Sequence, residues 1–191
     1  MNMSNTVRSI AFNKLEDRIM ELLFRAETFI NWSHELCKLY EINTDNSKKL
    51  FITMHINLYF AEALTCAHSL LFGNTINEKE ELSIGYLYKK YGFKLKKAGK
   101  PFKEIRDEYQ QMRLHIIRHQ FIAHKDLINI GDPVVGFLNH IKKKHITNLE
   151  KILIETKKHL YDILPDPSAN NYFLSLYQPS FDYLTSSLDK W

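Results

Sequence analysis

Glycine and proline, the residues that most often interrupt regular structure, are rare along this chain. Six glycines and five prolines are spread over 191 residues. Apolar residues make up 45% of the sequence, which is enough to build a buried core. Such sparse interruption favours a few long helices over many short strands, and the length favours a single domain over residues 1–191.

Apolar residues recur at steps of three and four in four long segments, which is the spacing of one helical face. We therefore predict an all-α fold, an antiparallel bundle of four long helices with a short additional helix or helices at the C-terminus. Proline and glycine at the segment ends are typical of helix starts and stops. The predicted long helices cover 6–40, 47–72, 101–128 and 133–164.

Two segments lie outside these four helices. Residues 74–101 form a basic connecting segment, with a short helix predicted near 78–92. Residues 165–191 form an extension rich in aromatic residues, and we predict a shorter helix there that is interrupted near Pro179.

The apolar segment 51–72 is long enough to cross a membrane. The segment also carries several polar and charged residues, which are costly to place in lipid. We therefore expect a central helix buried in the protein and no membrane partner. These residues are His55, Asn57, Glu62 and His68.

The two cysteines are predicted to be buried free thiols in a reducing compartment. Cys37 and Cys66 both lie in helix-like stretches with apolar neighbours. A disulfide framework needs more cysteines than this chain has. The N-terminal segment lacks the apolar stretch of a secretory signal. We therefore expect a cytoplasmic protein.

One pair of histidines has a spacing that can hold zinc. His115 and His119 are four residues apart and lie on one face of the third predicted helix. The metalloprotease pattern needs a glutamate directly after the first histidine, and Ile116 stands there. We therefore favour surface or capping histidines, predict no metal or other cofactor, and keep a metal-dependent bundle enzyme as a weaker alternative.

A run of lysines without any acidic residue covers residues 89–103. Lysines neutralise phosphates, and the interleaved aromatic rings can stack on unpaired bases. A solvated loop whose aromatic rings pack on the bundle explains the same composition. The predicted RNA-binding residues are Lys94, Lys96, Lys97, Lys100 and, on the next helix, Arg113.

The stretch "RHQFIAH", residues 118–124, places Arg118, His119 and His124 late in the third predicted helix. Its structural explanation is a buried core histidine and an arginine that pairs with an acid elsewhere. In the functional explanation, a partly buried neutral histidine moves protons and the planar guanidinium holds phosphate oxygens. Together they could promote attack of the RNA 2′-hydroxyl without metal. On one helix the two side chains point about 120° apart, so two antiparallel copies would build the site better.

The same stretch resembles the signature of the HEPN superfamily, in which an arginine, a polar residue and a short spacer precede a histidine. The ending "IAHKD" resembles the abortive-infection and uncharacterised bacterial branches in particular. The resemblance implies a homodimeric, metal-independent endoribonuclease with a composite site, acting as a toxin or phage-defence effector. It implies His124 as catalytic histidine, Arg118 as the phosphate-facing arginine and His119 as the supporting polar residue. An antitoxin or other neutralising protein is a further expected partner.

A different class of function is left open by the residues. A non-catalytic helical module could bind nucleic acid or a partner protein through the lysine segment or the aromatic extension. In that case His124 would have no chemical role.

Overall fold

In the computed structural model, the described residues are 15–73, 83–91, 102–119, 141–164 and 172–188. All regular structure in these ranges is helical, so the all-α prediction is confirmed, and no strand occurs within them. The helices are α1 Leu15–Ile42, α2 Asn46–Phe72, α3 Ile84–Tyr91, α4 Phe102–Gln111, α5 at 114–119, α6 Lys143–Ile163 and α7 Tyr172–Leu188.

Among the described helices, α1 and α2 make the most extensive contact. A connection of three residues, 43–45, makes the two helices antiparallel. Asp45 caps α2 by accepting a hydrogen bond from the backbone N–H of Lys48 at 2.8 Å. Gly73 ends the helix with a positive φ of 80° and donates to the carbonyl of Ser69 at 2.9 Å. The predicted helix over 47–72 is therefore confirmed to within one residue.

Within the described part of the chain, α2 is the one helix long and apolar enough to cross a membrane by length and composition. In the fold its side chains Ile52, Phe60 and Leu64 have no exposed surface and pack in the core. Leu50, Met54 and Leu58 lie on its other side and are about half exposed.

Polar pairs join α1 to α6 at intervals of seven residues. They are Glu27–Lys157 at 2.9 Å, His34–Glu150 at 3.1 Å and Glu41–Lys143 at 2.8 Å. Each step of seven along α1 is matched by a step of seven backwards along α6, so the two helices are antiparallel. Seven residues are close to two turns, which keeps the pairs on one stripe. Partly exposed pairs add little to stability, and the apolar residues between the helices hold them together.

The C-terminal helix α7 packs on α1. The ring of Phe181 stacks on Trp32 with centroids 4.9 Å apart, and Trp32 Nε1 donates to Gln178 Oε1 at 3.1 Å. The helix continues through Pro179, so the predicted interruption there is wrong. The contacts of Gln178 and Phe181 with Trp32 hold the turns on both sides of the proline, which offsets its missing N–H.

The third predicted helix is wrong as one continuous element. It stops at Gln111, and a turn at Met112 and Arg113 separates α4 from α5. The fourth predicted helix is also wrong as one continuous element, because Ile141 and Lys142 are not helical and α6 begins at Lys143. Its inner face, including Leu149 and Leu160, is buried as predicted. The short helix predicted near 78–92 is confirmed as α3, whereas residues 1–14 and 120–140 lie outside the described residues.

Candidate functional site

Three of the predicted site residues lie in the described part of the chain. Arg113 and His119 are exposed, and Arg118 is half-buried on α5. The others lie outside the described residues, so their positions stay predictions. These are His124, Lys94, Lys96, Lys97 and Lys100.

The turn at Arg113 sets the position of α5. Arg113 has a φ of 58°, the one positive value at a non-glycine residue among the described residues. Its N–H donates to the carbonyl of Gln110 at 2.9 Å, which closes α4. Its own carbonyl accepts from the N–H groups of Ile116 and Ile117 at 3.1 and 3.3 Å, which opens α5. This left-handed conformation costs an arginine ~1–2 kcal/mol. It changes the direction of the chain before Arg118.

His68, near the end of α2, is the centre of a polar cluster that α4 and α5 complete. Its Nδ1 lies 3.4 Å from Tyr109 Oη, and its ring stacks on Phe72 with centroids 4.9 Å apart. Burial, together with the nearby positive charges of Arg118, His115 and His119, lowers the pKa of His68 to about 4. The imidazole is therefore neutral at pH 7, and one of its nitrogens can accept a proton. We call these residues the His68 cluster: His68, Tyr109, His115, Arg118 and His119.

Tyr109 is the buried member of the His68 cluster. It has no exposed surface, and burial raises the pKa of its phenol, although the charge of Arg118 acts in the opposite direction. The phenol therefore stays protonated near pH 7. It can offer a hydrogen bond to His68 or to a ligand, because a hydroxyl both donates and accepts.

Buried nitrogens in the His68 cluster lack hydrogen-bond partners. Arg118 Nε and His115 Nδ1 are buried, and no described residue satisfies either atom. Within the described ranges Arg118 also forms no ion pair, so the acid partner of the structural explanation is not found there. A buried donor without an acceptor costs ~1–3 kcal/mol. An anion bound at Arg118 would supply the missing acceptor.

A second guanidinium lies beside the His68 cluster and was missed by the sequence analysis. The Cζ of Arg106 lies 4.6 Å from the centroid of Phe72, whose ring also contacts His68. The side chain is exposed, so its charge remains available to solvent anions. Helical spacing places Arg106 three residues before Tyr109, but only the fold brings both to Phe72.

The two histidines with zinc-like spacing do not gain a third ligand among the described residues. In these ranges no group of three His, Cys, Asp or Glu side chains lies close enough together to hold a metal. His115 and His119 instead act on the charge state of His68.

Arg113 lines a small cavity on the other side of α5. The cavity has a volume of about 270 Å³ and is also lined by Lys144, His145 and Asn148 from the first turns of α6. Burial and the charges of Lys144 and Lys142 lower the pKa of His145. A basic surface with a neutral histidine therefore borders Arg113, which lies five residues before Arg118.

The low pKa of His68 gives a direct prediction. An NMR titration of its ring protons is expected to have a midpoint near pH 4, and Arg118→Ala should move this midpoint upward because a nearby positive charge is removed. Lys38→Ala removes an exposed charge near the C-terminal end of α1 and should leave the midpoint of His68 unchanged.

The same low pKa makes stability depend on pH. Because protonation of His68 favours the unfolded chain, this histidine makes the fold less stable as pH falls from about 6.5 to 4. An ordinary midpoint that Arg118→Ala does not change would contradict the described cluster.

Comparison of the chain with protein-family models, with curated proteins and with solved structures finds no match.

Proposed function

We propose that this protein is a metal-independent endoribonuclease that cleaves single-stranded RNA through attack of the RNA 2′-hydroxyl. One observation supports this most strongly: Arg118 is half-buried where α2, α4 and α5 meet, and its buried Nε has no hydrogen-bond partner among the described residues. A fixed guanidinium is suited to a phosphodiester, and the imidazole of His124, six residues further along the chain, is suited to proton transfer.

The chemistry needs one acid–base group and one source of positive charge. In the proposed step, His124 takes the proton of the 2′-hydroxyl while its oxygen bonds to phosphorus. The bond from phosphorus to the 5′-oxygen breaks, and the protonated imidazole of His124 returns its proton to that oxygen. The products are a 2′,3′-cyclic phosphate and a 5′-hydroxyl. Arg118 offsets the negative charge that grows on the phosphate oxygens. His119 is the supporting polar residue next to Arg118, on the exposed side.

The RNA strand needs a cationic approach to this point. Arg113 and Lys144 share one small cavity, and Arg106 lies on the Phe72 side of the His68 cluster. We assign phosphate contacts to these residues and to the predicted Lys94, Lys96, Lys97 and Lys100. Such contacts attract RNA without reading its sequence, so binding should weaken as salt rises.

The proposal includes a second copy of the chain. Arg118 and His124 diverge on a single straight helix, so a two-fold dimer would bring the arginine of one protomer to the histidine of its partner. The arrangement we propose is a cytoplasmic homodimer of antiparallel four-helix bundles. This homodimer would act as a toxin or phage-defence effector, and a neutralising protein would inhibit it.

The test is RNA cleavage in excess chelator. Wild-type protein is incubated with a single-stranded RNA of defined sequence, and the ends of the products are determined by mass spectrometry. We expect cyclic phosphate ends, which His124→Ala abolishes and Lys38→Ala leaves intact. Intact RNA with folded wild-type protein, or cleavage that stops when chelator is added, would contradict the proposal.

A non-catalytic binding module is the second candidate function. The exposed stripe of Leu50, Met54 and Leu58 on α2 favours a protein partner, because these side chains recur every four residues on one face. This candidate predicts intact RNA in the cleavage assay. It also predicts that Leu58→Asp, rather than His124→Ala, abolishes binding of the protein partner.

A further inference from the structure

A cavity of about 570 Å³ lies at the end of the fold where α1 ends and α2 and α6 begin. Its volume is in the range of ligand sites. Leu50, Ile56 and Ile146 give it apolar walls. Asn57 also lines it and is 4% exposed, and its Nδ2 has no hydrogen-bond partner among the described residues. A buried amide without a partner is costly, so a ligand with an acceptor would be favoured there.

The outer part of the cavity carries positive charge. Lys49 and Lys143 line it together with Glu41. Lys143 is paired with Glu41 at 2.8 Å, whereas Lys49 lies over the ring of Tyr40 at 5.3 Å from its centroid. Lys49 is therefore the cation whose charge no carboxylate of the cavity lining offsets. An ammonium in this position suits a phosphate group at the outer end of a ligand.

We infer that this cavity binds a purine nucleotide, with the base inside and the phosphate at Lys49. An asparagine amide can donate to N7 and accept from the 6-amino group of adenine, which makes adenine the base that fits Asn57 best. The apolar walls cover the faces of the base. Lys49 binds the phosphate as a point charge held beside Tyr40.

This site is separate from the His68 cluster. Asn57 and His68 lie eleven residues apart on α2, which places them ~16 Å apart along the helix. Leu64 lies between them on the same side and has no exposed surface. The buried core therefore divides the two sites, and nucleotide binding does not depend on RNA cleavage.

The test is isothermal titration calorimetry of the full chain at pH 7 with AMP. We expect binding in the micromolar range, with weaker binding of adenosine, which lacks the phosphate, and of UMP, which lacks the purine edge. Lys49→Gln and Asn57→Leu should each weaken AMP binding ~10-fold, the effect of losing one charge-assisted or buried hydrogen bond. Circular dichroism checks that both variants are folded, and Lys49→Gln changes only a half-buried side chain.

Two control variants separate this site from the proposed nuclease. Lys158→Gln removes an exposed lysine of α6 outside the cavity and should leave AMP binding unchanged. Arg118→Ala should also bind AMP like the wild type, even where it no longer cleaves RNA. The inference is overturned if AMP does not bind, if UMP binds equally well, or if neither cavity variant weakens AMP binding. It is also overturned if Arg118→Ala removes AMP binding, because the nucleotide would then occupy the His68 cluster.

Discussion

Replacing Arg118 by alanine is expected to lower the rate of RNA cleavage ~10²–10³-fold, the usual effect of removing a donor that stabilises charge in the transition state. The guanidinium is half-buried, and among the described residues its Nε has no hydrogen-bond partner and no carboxylate pairs with it. Arg118→Lys keeps the charge and loses the planar fork, so an intermediate rate is expected. The rate is measured with a single-stranded RNA in excess chelator under single-turnover conditions.

Lys38→Ala is the matched control for this measurement. Lys38 is an exposed cation of α1 that pairs with Glu35, so its loss changes the net charge equally without touching α5. Its cleavage rate should equal that of the wild type. If Arg118→Ala folds and cleaves within a few-fold of the wild type, the guanidinium has no role in the chemistry.

Phe60→Ala is expected to give the largest loss of stability, ~3–5 kcal/mol in the free energy of unfolding. Phe60 has no exposed surface and lies in the middle of α2, in the core cluster shared with α1. Truncation removes buried apolar area and leaves a cavity that its neighbours cannot fill. Urea unfolding at pH 7, followed by circular dichroism, measures the change.

Leu58→Ala tests the same helix on its exposed side. Leu58 is 54% exposed, so its truncation should change the free energy of unfolding by less than ~0.5 kcal/mol. Equal losses for Phe60→Ala and Leu58→Ala would mean that α2 is not buried along the side described here.

The positions of α2 and α3 could be predicted because their signals are local in the sequence, within each helix or directly beside its ends. Asp45 is a good N-cap and Gly73 a good C-cap, and both act on backbone groups a few residues away. The break at Arg113 could not be predicted in the same way. No glycine, proline or asparagine marks this break. An arginine adopts a positive φ there only because the fold holds α4 and α5 on both sides of it.

The candidate site could be addressed from the sequence only in part. The pattern from Arg118 to His124 is local, so the sequence could propose it, and the position of His124 stays a prediction. His68 lies 41 residues before Tyr109 in the sequence, and only packing of α4 and α5 against the end of α2 brings it to Tyr109 and Arg118. The register of α1 against α6 could not be predicted from the sequence either. Its polar pairs repeat every seven residues on two helices more than a hundred residues apart.

The central claim is that Arg118 and His124 act on one phosphodiester, with each residue supplied by a different protomer. Arg118→Ala and His124→Ala, each inactive alone, are mixed, unfolded and refolded together, and RNA cleavage in chelator is measured. Random pairing makes half of the dimers mixed, and each mixed dimer has one intact site of two, so about a quarter of wild-type activity is predicted. A mixture as inactive as its two components, with mixed dimers present by mass spectrometry, would contradict the claim.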